Sequence, residues 1–161
     1  SSSSAASDVY KRQDKKEATF EHIKTNDRKT IDYEMLHVTP PMGPLRVLKE
    51  STLSDSDGWV DVNPTTLQHK SYSNIFALGD ASNVPTSKTG AAIRKQAPIV
   101  VNNLLQVMDN EMLTHHYDGY TSCPIVTGYN KLILAEFDYN KKPKETFPFN
   151  QAKERLSLIH I

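Results

Sequence analysis

The run Ser73-Asn74-Ile75-Phe76-Ala77-Leu78-Gly79-Asp80 constrains this chain more than any other stretch. The apolar residues Ile75 to Leu78 end abruptly in Gly79-Asp80. A polar loop follows from Ala81 to Thr89, then a helix-like run from Gly90 to Met108. The order predicts a buried strand, a tight turn carrying one carboxylate, and a helix whose N-terminus faces the same place. A helix N-terminus offers unpaired N–H groups and partial positive charge. An Asp just past a buried strand can accept hydrogen bonds from ligand hydroxyls. The pair suits a ligand with a polyol arm and an electron-rich head. From those residues alone Gly79-Asp80 reads equally well as a plain turn, since turns favour both types.

Apolar positions Ala97, Val101, Leu104, Leu105 and Met108 recur at intervals of three and four and predict the inward face of that helix. Pro98 falls inside it, which predicts a kink near Arg94-Lys95 or a restart around Pro98. Ser87 or Thr89 can cap the start. Upstream, Ala18 to Ile23 and Thr30 to Val38 read as strands around the turn Asn26-Asp27-Arg28-Lys29, with Met35 to Val38 entering a buried sheet. Thr39-Pro40-Pro41-Met42-Gly43-Pro44 must be a loop. Leu45 to Lys49 suits a short helix and Ser51 to Asp57 a surface loop. Trp59 to Val62 and Thr66 to Gln68 suit short strands, with His69 and Tyr72 at the surface. Downstream, Tyr120 to Val126 and Lys131 to Tyr139 read as a hairpin around Thr127-Gly128-Tyr129-Asn130. Thr146-Phe147-Pro148-Phe149 reads as an aromatic anchor.

The balance of 19 basic and 19 acidic residues gives no reason to expect nucleic acid as a partner. No apolar run approaches the roughly 20 residues that span a bilayer. The only cysteine, Cys123, excludes an intrachain disulfide and a thiolate zinc cluster. Adjacent His115 and His116 point to different sides of any regular element, and His69 has no second ligand at helical spacing, so no metal site is expected. Residues 1–13 and 156–161 fit no periodic pattern and are expected to be a non-native or disordered lead and a non-native tail.

Several motifs together resemble sulfide:quinone oxidoreductases of the mitochondrial type. They are Asn74 to Asp80, Val84-Pro85-Thr86-Ser87-Lys88-Thr89, Tyr117 to Tyr129 with Thr121-Ser122-Cys123-Pro124 at its centre, and Ile133 to Tyr139. Tyr33 to Met42 and Gly58 to Val62 fit the same pattern. The likeness covers roughly residues 14 to 156. It implies an α/β fold, part of a flavoprotein with two dinucleotide-binding (FAD/NAD(P)-binding, Rossmann-like) domains, incomplete and ending in a mixed β-hairpin portion. Residues 14–70 would close the second dinucleotide-binding domain, 71–112 would be the C-terminal part of the FAD-binding domain, and 113–155 a hairpin segment with the redox cysteine.

The same resemblance implies FAD as cofactor. Gly79 would allow close backbone approach, Asp80 would bind the ribityl hydroxyls, and Lys88 would lie beside the flavin. Cys123 matches one of two redox cysteines, one of which carries sulfide sulfur as a persulfide. Electrons would pass through FAD to a ubiquinone-type quinone, and the sulfane sulfur to a thiol or sulfite. The complete protein would sit peripherally on the mitochondrial inner membrane. The partner cysteine, the G-x-G-x-x-G turn and the membrane-binding segment are absent from this sequence, so the chain alone is expected not to turn over. It also departs from relatives at Ala81-Ser82, where a cysteine can stand. A type II NADH dehydrogenase-like quinone reductase, for which Cys123 would be dispensable, and a non-catalytic chain of the same fold are the alternatives.

Overall fold

The computed structural model describes residues 6–37, 42–148 and 150–156. Contacts divide the chain into two compact units, residues 1–42 and 43–161.

The first unit is a three-stranded antiparallel sheet of β1 (Ala6–Arg12), β2 (Glu17–His22) and β3 (Arg28–Asp32), in that order. The β2–β3 hairpin turns where the sequence places it, at Asn26 with a left-handed φ of 58°. Asn tolerates that backbone better than most residues. Thr19 and Thr30 share a hydroxyl bond across the pair at 2.8 Å, and Arg28 pairs with Glu21 at 2.8 Å. β3 stops at Asp32 rather than running to Val38, and Met35 is 88% exposed, so the apolar end expected to enter a buried sheet does not do so among the described residues. Residues 6–12, expected to lie outside the folded part, form β1. Its pairing partner β2 decides its conformation, because the segment carries no periodicity of its own. Val38 to Pro41, which include the predicted proline loop, lie outside the described residues, as do Ser1 to Ala5, Phe149 and Ser157 to Ile161.

The second unit opens with the short helix α1 (Arg46–Lys49), then bridges rather than strands. Val60 pairs with Ser54 and in parallel with Ser82, Val62 with His69, and Gln68 with Phe76. Ile75 to Leu78 is therefore extended and half-buried but not a regular strand. A buried parallel strand needs a neighbour on each side, and among the described residues Phe76 has one bridge only. Around these bridges Val60, Val62, Leu67, Val84 and Tyr117 form the core, joined by Leu48, Leu53, Leu78, Ile99, Val100 and Tyr139. His69, expected at the surface, is 5% exposed. Its Nδ1 accepts the N–H groups of Ser71 and Tyr72, and its Nε2–H donates to the Leu53 carbonyl at 3.0 Å. Complete local satisfaction is what permits an imidazole there.

Helix α2 (Gly90–Met108) runs through Pro98 without restarting. Its inward face is not the predicted one. Ala92, Gln96 and Asn103 are buried, with Ile99 and Val100 partly so, whereas Val101 (55%), Leu105 (51%) and Met108 (69%) are exposed. The burial of Asn103 follows from its bonds. Its amide donates to the Thr66 and His115 carbonyls, and its oxygen accepts the His115 N–H. Among the described residues, the apolar face of α2 is left with no cover. A contiguous apolar stripe of that kind binds hydrophobic dyes. The 161-residue chain is therefore expected to enhance anilinonaphthalene sulfonate fluorescence. Val101→Lys combined with Leu105→Glu should remove most of the signal while leaving the far-ultraviolet dichroism unchanged.

The unit ends in a second antiparallel sheet, β4 (Thr121–Gly128), β5 (Lys131–Phe137) and β6 (Arg155–Leu156), ordered β4-β5-β6. The hairpin turns at Asn130, φ 59°. Pro124 is tolerated because β4 is an edge strand. Leu132 and Glu136 of β5 are buried on one face, as the alternation predicts. Phe147, in the predicted aromatic anchor, is 44% exposed. No helix among the described residues is long and apolar enough to cross a membrane.

Candidate functional site

The site grows from the turn at Gly79. The backbone there is left-handed, φ 62°, within a short 3-10 turn spanning Gly79–Ala81. A Cβ on Gly79 would meet Ile93 of α2 at 2.9 Å. Glycine therefore serves both the conformation and the close approach of the helix. Asp80, next in sequence, is exposed. The turn is stapled from beneath: the Gly79 N–H donates to Gln96 Oε1 at 2.7 Å, and Ser82 Oγ–H donates to the Gly79 carbonyl at 2.9 Å.

Lys88 approaches the same turn from the following loop. Its Nζ donates to the carbonyls of Asp80 (3.1 Å) and Ser82 (2.7 Å) and lies 3.9 Å from the ring centroid of Trp59. Burial lowers its pKa, opposed by the negative charges of Asp80 and Asp55. The ammonium thus ties the turn together and stacks on an aromatic face.

Thr89 caps α2, its Oγ1 accepting the Ala92 N–H at 3.2 Å. The N–H groups of Gly90 and Ala91 lie ahead of the intrahelical ladder, as in any first turn. A Cβ on Gly90 would meet nothing within 4 Å, so the backbone is open to approach. The Thr89 hydroxyl also shares a hydrogen bond with Thr121 Oγ1 at 3.0 Å, and Thr121 Oγ1 donates to the Ser87 carbonyl at 3.3 Å. Thr121 begins β4. The cap of α2 and the strand bearing Cys123 are therefore pinned to each other.

Cys123 pairs with Ala135 across the hairpin, and its thiol side is exposed. Its neighbour Ser122 points the other way, 6% exposed, opposite Glu136. Glu136 is 4% exposed and accepts from the Tyr120 hydroxyl, from the Thr146 N–H at 2.9 Å and from Thr146 Oγ1 at 2.8 Å. Burial would raise its pKa. The bonds from Tyr120 and Thr146 outweigh it and hold the carboxyl below its ordinary value. A carboxylate whose pKa falls on folding adds stability above its unfolded pKa and loses it as pH drops through the folded value. Glu136 accordingly holds the segment after β5 against the hairpin above about pH 4.5, and the hold weakens as the solution is made more acid. Glu136→Ala would leave the Tyr120 hydroxyl and the Thr146 donors facing a void. It is expected to cost about 2–4 kcal/mol in urea unfolding at neutral pH, and the difference from the parent should shrink in acid.

The structure thus brings Gly79, Asp80 and Lys88 to one turn and joins that turn, through α2 and Thr121, to the Cys123 strand. Sequence reasoning passed over Gln96, and it quoted Thr121 and Glu136 within motifs without giving either a role of its own. Only the polar type of Gln96 and Asn103 at helical spacing (i, i+7) signalled an inward face other than the apolar one. No group of three His, Cys, Asp or Glu residues able to hold a metal occurs among the described residues.

Compared with known proteins, the chain matches no family model. Its curated relatives are mitochondrial oxidoreductases. In particular, each carries the name sulfide:quinone oxidoreductase, mitochondrial. The Mus musculus protein is 55% identical over 148 residues, the Dictyostelium discoideum protein 56% over 142, and the Schizosaccharomyces pombe protein 44% over 132. These alignments cover 91%, 88% and 82% of this chain, and 33%, 31% and 29% of the relatives. The chain is therefore related to mitochondrial sulfide:quinone oxidoreductase and spans about a third of the length of those relatives. A chain in the cryo-EM structure of the Tetrahymena thermophila mitochondrial ATP synthase also superimposes, with a TM-score of 0.72 and 35% identity, over 83% of this chain and 32% of that one.

Proposed function

We propose that this chain is the C-terminal third of a flavoprotein that oxidises hydrogen sulfide and passes two electrons through FAD to a ubiquinone-type quinone, at the mitochondrial inner membrane. The observation that carries the reading is the link from the Gly79-Asp80 turn to the cysteine strand through Thr89 and Thr121, in a chain 55% identical to a sulfide:quinone oxidoreductase. A redox thiol and a flavin must be held at a fixed separation, and such a link supplies it.

The residues present fit half of a flavin site. Gly79 keeps the backbone flat and close, the exposed carboxylate of Asp80 suits ribityl hydroxyls, and the open first turn of α2 offers N–H groups to a negative edge. Bound there, FAD supplies a two-electron sink. Lys88 keeps the turn rigid and adds positive charge beside it.

In the complete protein Cys123 would pair with a second cysteine outside this sequence. Sulfide would attack one sulfur of that bridge. The S–S bond would break, a persulfide S–S bond would form on the attacked cysteine, and the other cysteine would leave as a thiolate holding the electron pair, for which a bound flavin would be the acceptor. A thiol or sulfite then removes the outer sulfur. The exposure of Cys123 on an edge strand gives such small reactants access.

The test joins this chain to the two-thirds of a relative's length that it lacks, and follows flavin absorbance anaerobically. Bleaching by sulfide and not by NADH supports the reading. Bleaching by NADH alone overturns it. A second reading, a non-catalytic subunit of a mitochondrial assembly, is favoured by the likeness to a chain within an ATP synthase structure. It predicts a folded, flavin-free joined protein.

A further inference from the structure

An amide sealed from water needs partners for its oxygen and its N–H groups, and a leucine would fill the same space without that demand. Gln96 is 0% exposed on the inward face of α2. Its Oε1 takes the Gly79 N–H at 2.7 Å. Its Nε2 has no hydrogen-bond partner among the described residues. One buried bond does little for net stability against the cost of burying the rest of the amide. What it does fix is direction. The Gly79 N–H is drawn inward to α2, Ile93 closes the space beneath Gly79, and Lys88 draws in the carbonyls of Asp80 and Ser82. With the backbone groups so occupied, the Asp80 side chain is the part of the turn left facing out.

We propose that Gln96 is a positioning residue. It sets the Gly79 peptide so that Asp80 presents its carboxylate to the polyol arm of a bound cofactor. The geometry stands by itself; its purpose rests on the flavin reading above.

Two measurements separate these. The first is amide hydrogen exchange in the 161-residue chain. Gln96→Met keeps the volume and removes the acceptor, and should speed exchange at Gly79 by about tenfold, with the β4–β5 amides unchanged. Gln96→Glu keeps an acceptor oxygen in either protonation state and should restore protection. Unchanged exchange at Gly79 in Gln96→Met overturns the proposal. If that variant does not fold, Gln96→Asn is read instead. It keeps the amide but is one methylene too short to reach the Gly79 N–H, so it should speed Gly79 exchange severalfold, and no change there overturns the proposal equally. The second measurement is flavin affinity and the visible flavin band of the joined protein. Gln96→Met should bind flavin about tenfold more weakly with a shifted band, and Gln96→Glu should recover both. A parent that holds flavin while Gln96→Met matches it in affinity and spectrum overturns the cofactor role. A parent without flavin overturns the flavin reading, and with it that role, while the exchange result still decides whether Gln96 orients the turn.

Discussion

Cys123→Ser in the joined protein is expected to retain flavin, keep the parent's visible spectrum and lose sulfide-driven bleaching by at least about a thousandfold, the scale on which removal of an essential nucleophile acts. Serine preserves the size of the side chain on an exposed edge-strand position, so the fold should not notice. The hydroxyl cannot form the bridge that sulfide attacks, nor hold an outer sulfur, nor leave as a thiolate carrying an electron pair. The loss should not depend on sulfide concentration, because the missing bond is part of the reaction and not of binding. Dithionite should still reduce the flavin of the variant. If sulfide bleaches Cys123→Ser as fast as the parent, the thiol is a bystander and the chemistry belongs elsewhere.

What the sequence made legible was local. The Lys131–Phe137 strand shows its period of two in seven residues, and Leu132 and Glu136 are buried together as that period requires. The helix from Gly90 to Met108 and its Thr89 cap follow from spacing and cap chemistry that neighbours need not supply. The inward face of the same helix was misread because two faces compete: 93-97-101-105 is apolar, while 92-96-99-103 carries two amides. Periodicity ranks faces by hydrophobicity. Only the carbonyls of Thr66 and His115 and the N–H of Gly79, each distant in sequence, make the polar face the one that is buried. His69 is the same lesson at one residue, since its burial depends on the Leu53 carbonyl 16 positions away. The strand predicted at Ile75 to Leu78 reads as buried because a sequence records the surroundings it is suited to. Among the described residues, the single bridge to Gln68 is all that supports it. At the candidate site, Gly79, Asp80, Lys88 and Cys123 came from motif likeness. Of the residues that tie them together, Gln96 carries no motif, and Thr121 lies in the Cys123 motif but shows its linking role only by its bonds.

Gly119→Ala should be the most damaging single methyl that can be added to this chain. Gly119 has a left-handed φ of 78°, where a Cβ costs about 1 kcal/mol or more. The added Cβ would lie 2.4 Å from Cγ and Cδ2 of Tyr139 and 2.8 Å from the Tyr139 backbone nitrogen. A ring in an open site swings aside, but a backbone atom cannot, and here the ring is itself committed. It meets Tyr117 edge-on with centroids 5.6 Å apart, and its hydroxyl donates to the Pro64 carbonyl at 2.6 Å, closing a loop of 75 positions. Relief of the clash therefore requires either breaking that bond or moving Tyr117, which is 3% exposed within the core cluster. Overpacking typically costs 1–3 kcal/mol, and with the backbone strain the sum is about 3–5 kcal/mol. That is a large share of the roughly 5–15 kcal/mol that holds a domain folded. Urea unfolding of the 161-residue chain, followed through the sole tryptophan Trp59, should show a midpoint lowered by more than 1 M at unchanged slope. Gly43→Ala, where a Cβ meets nothing within 4 Å, is the matched control and should leave the midpoint in place. Equal midpoints for the two variants would mean that Gly119 is not held against Tyr139. The path from Pro64 through Tyr139 to Tyr117 in the core would then carry no constraint.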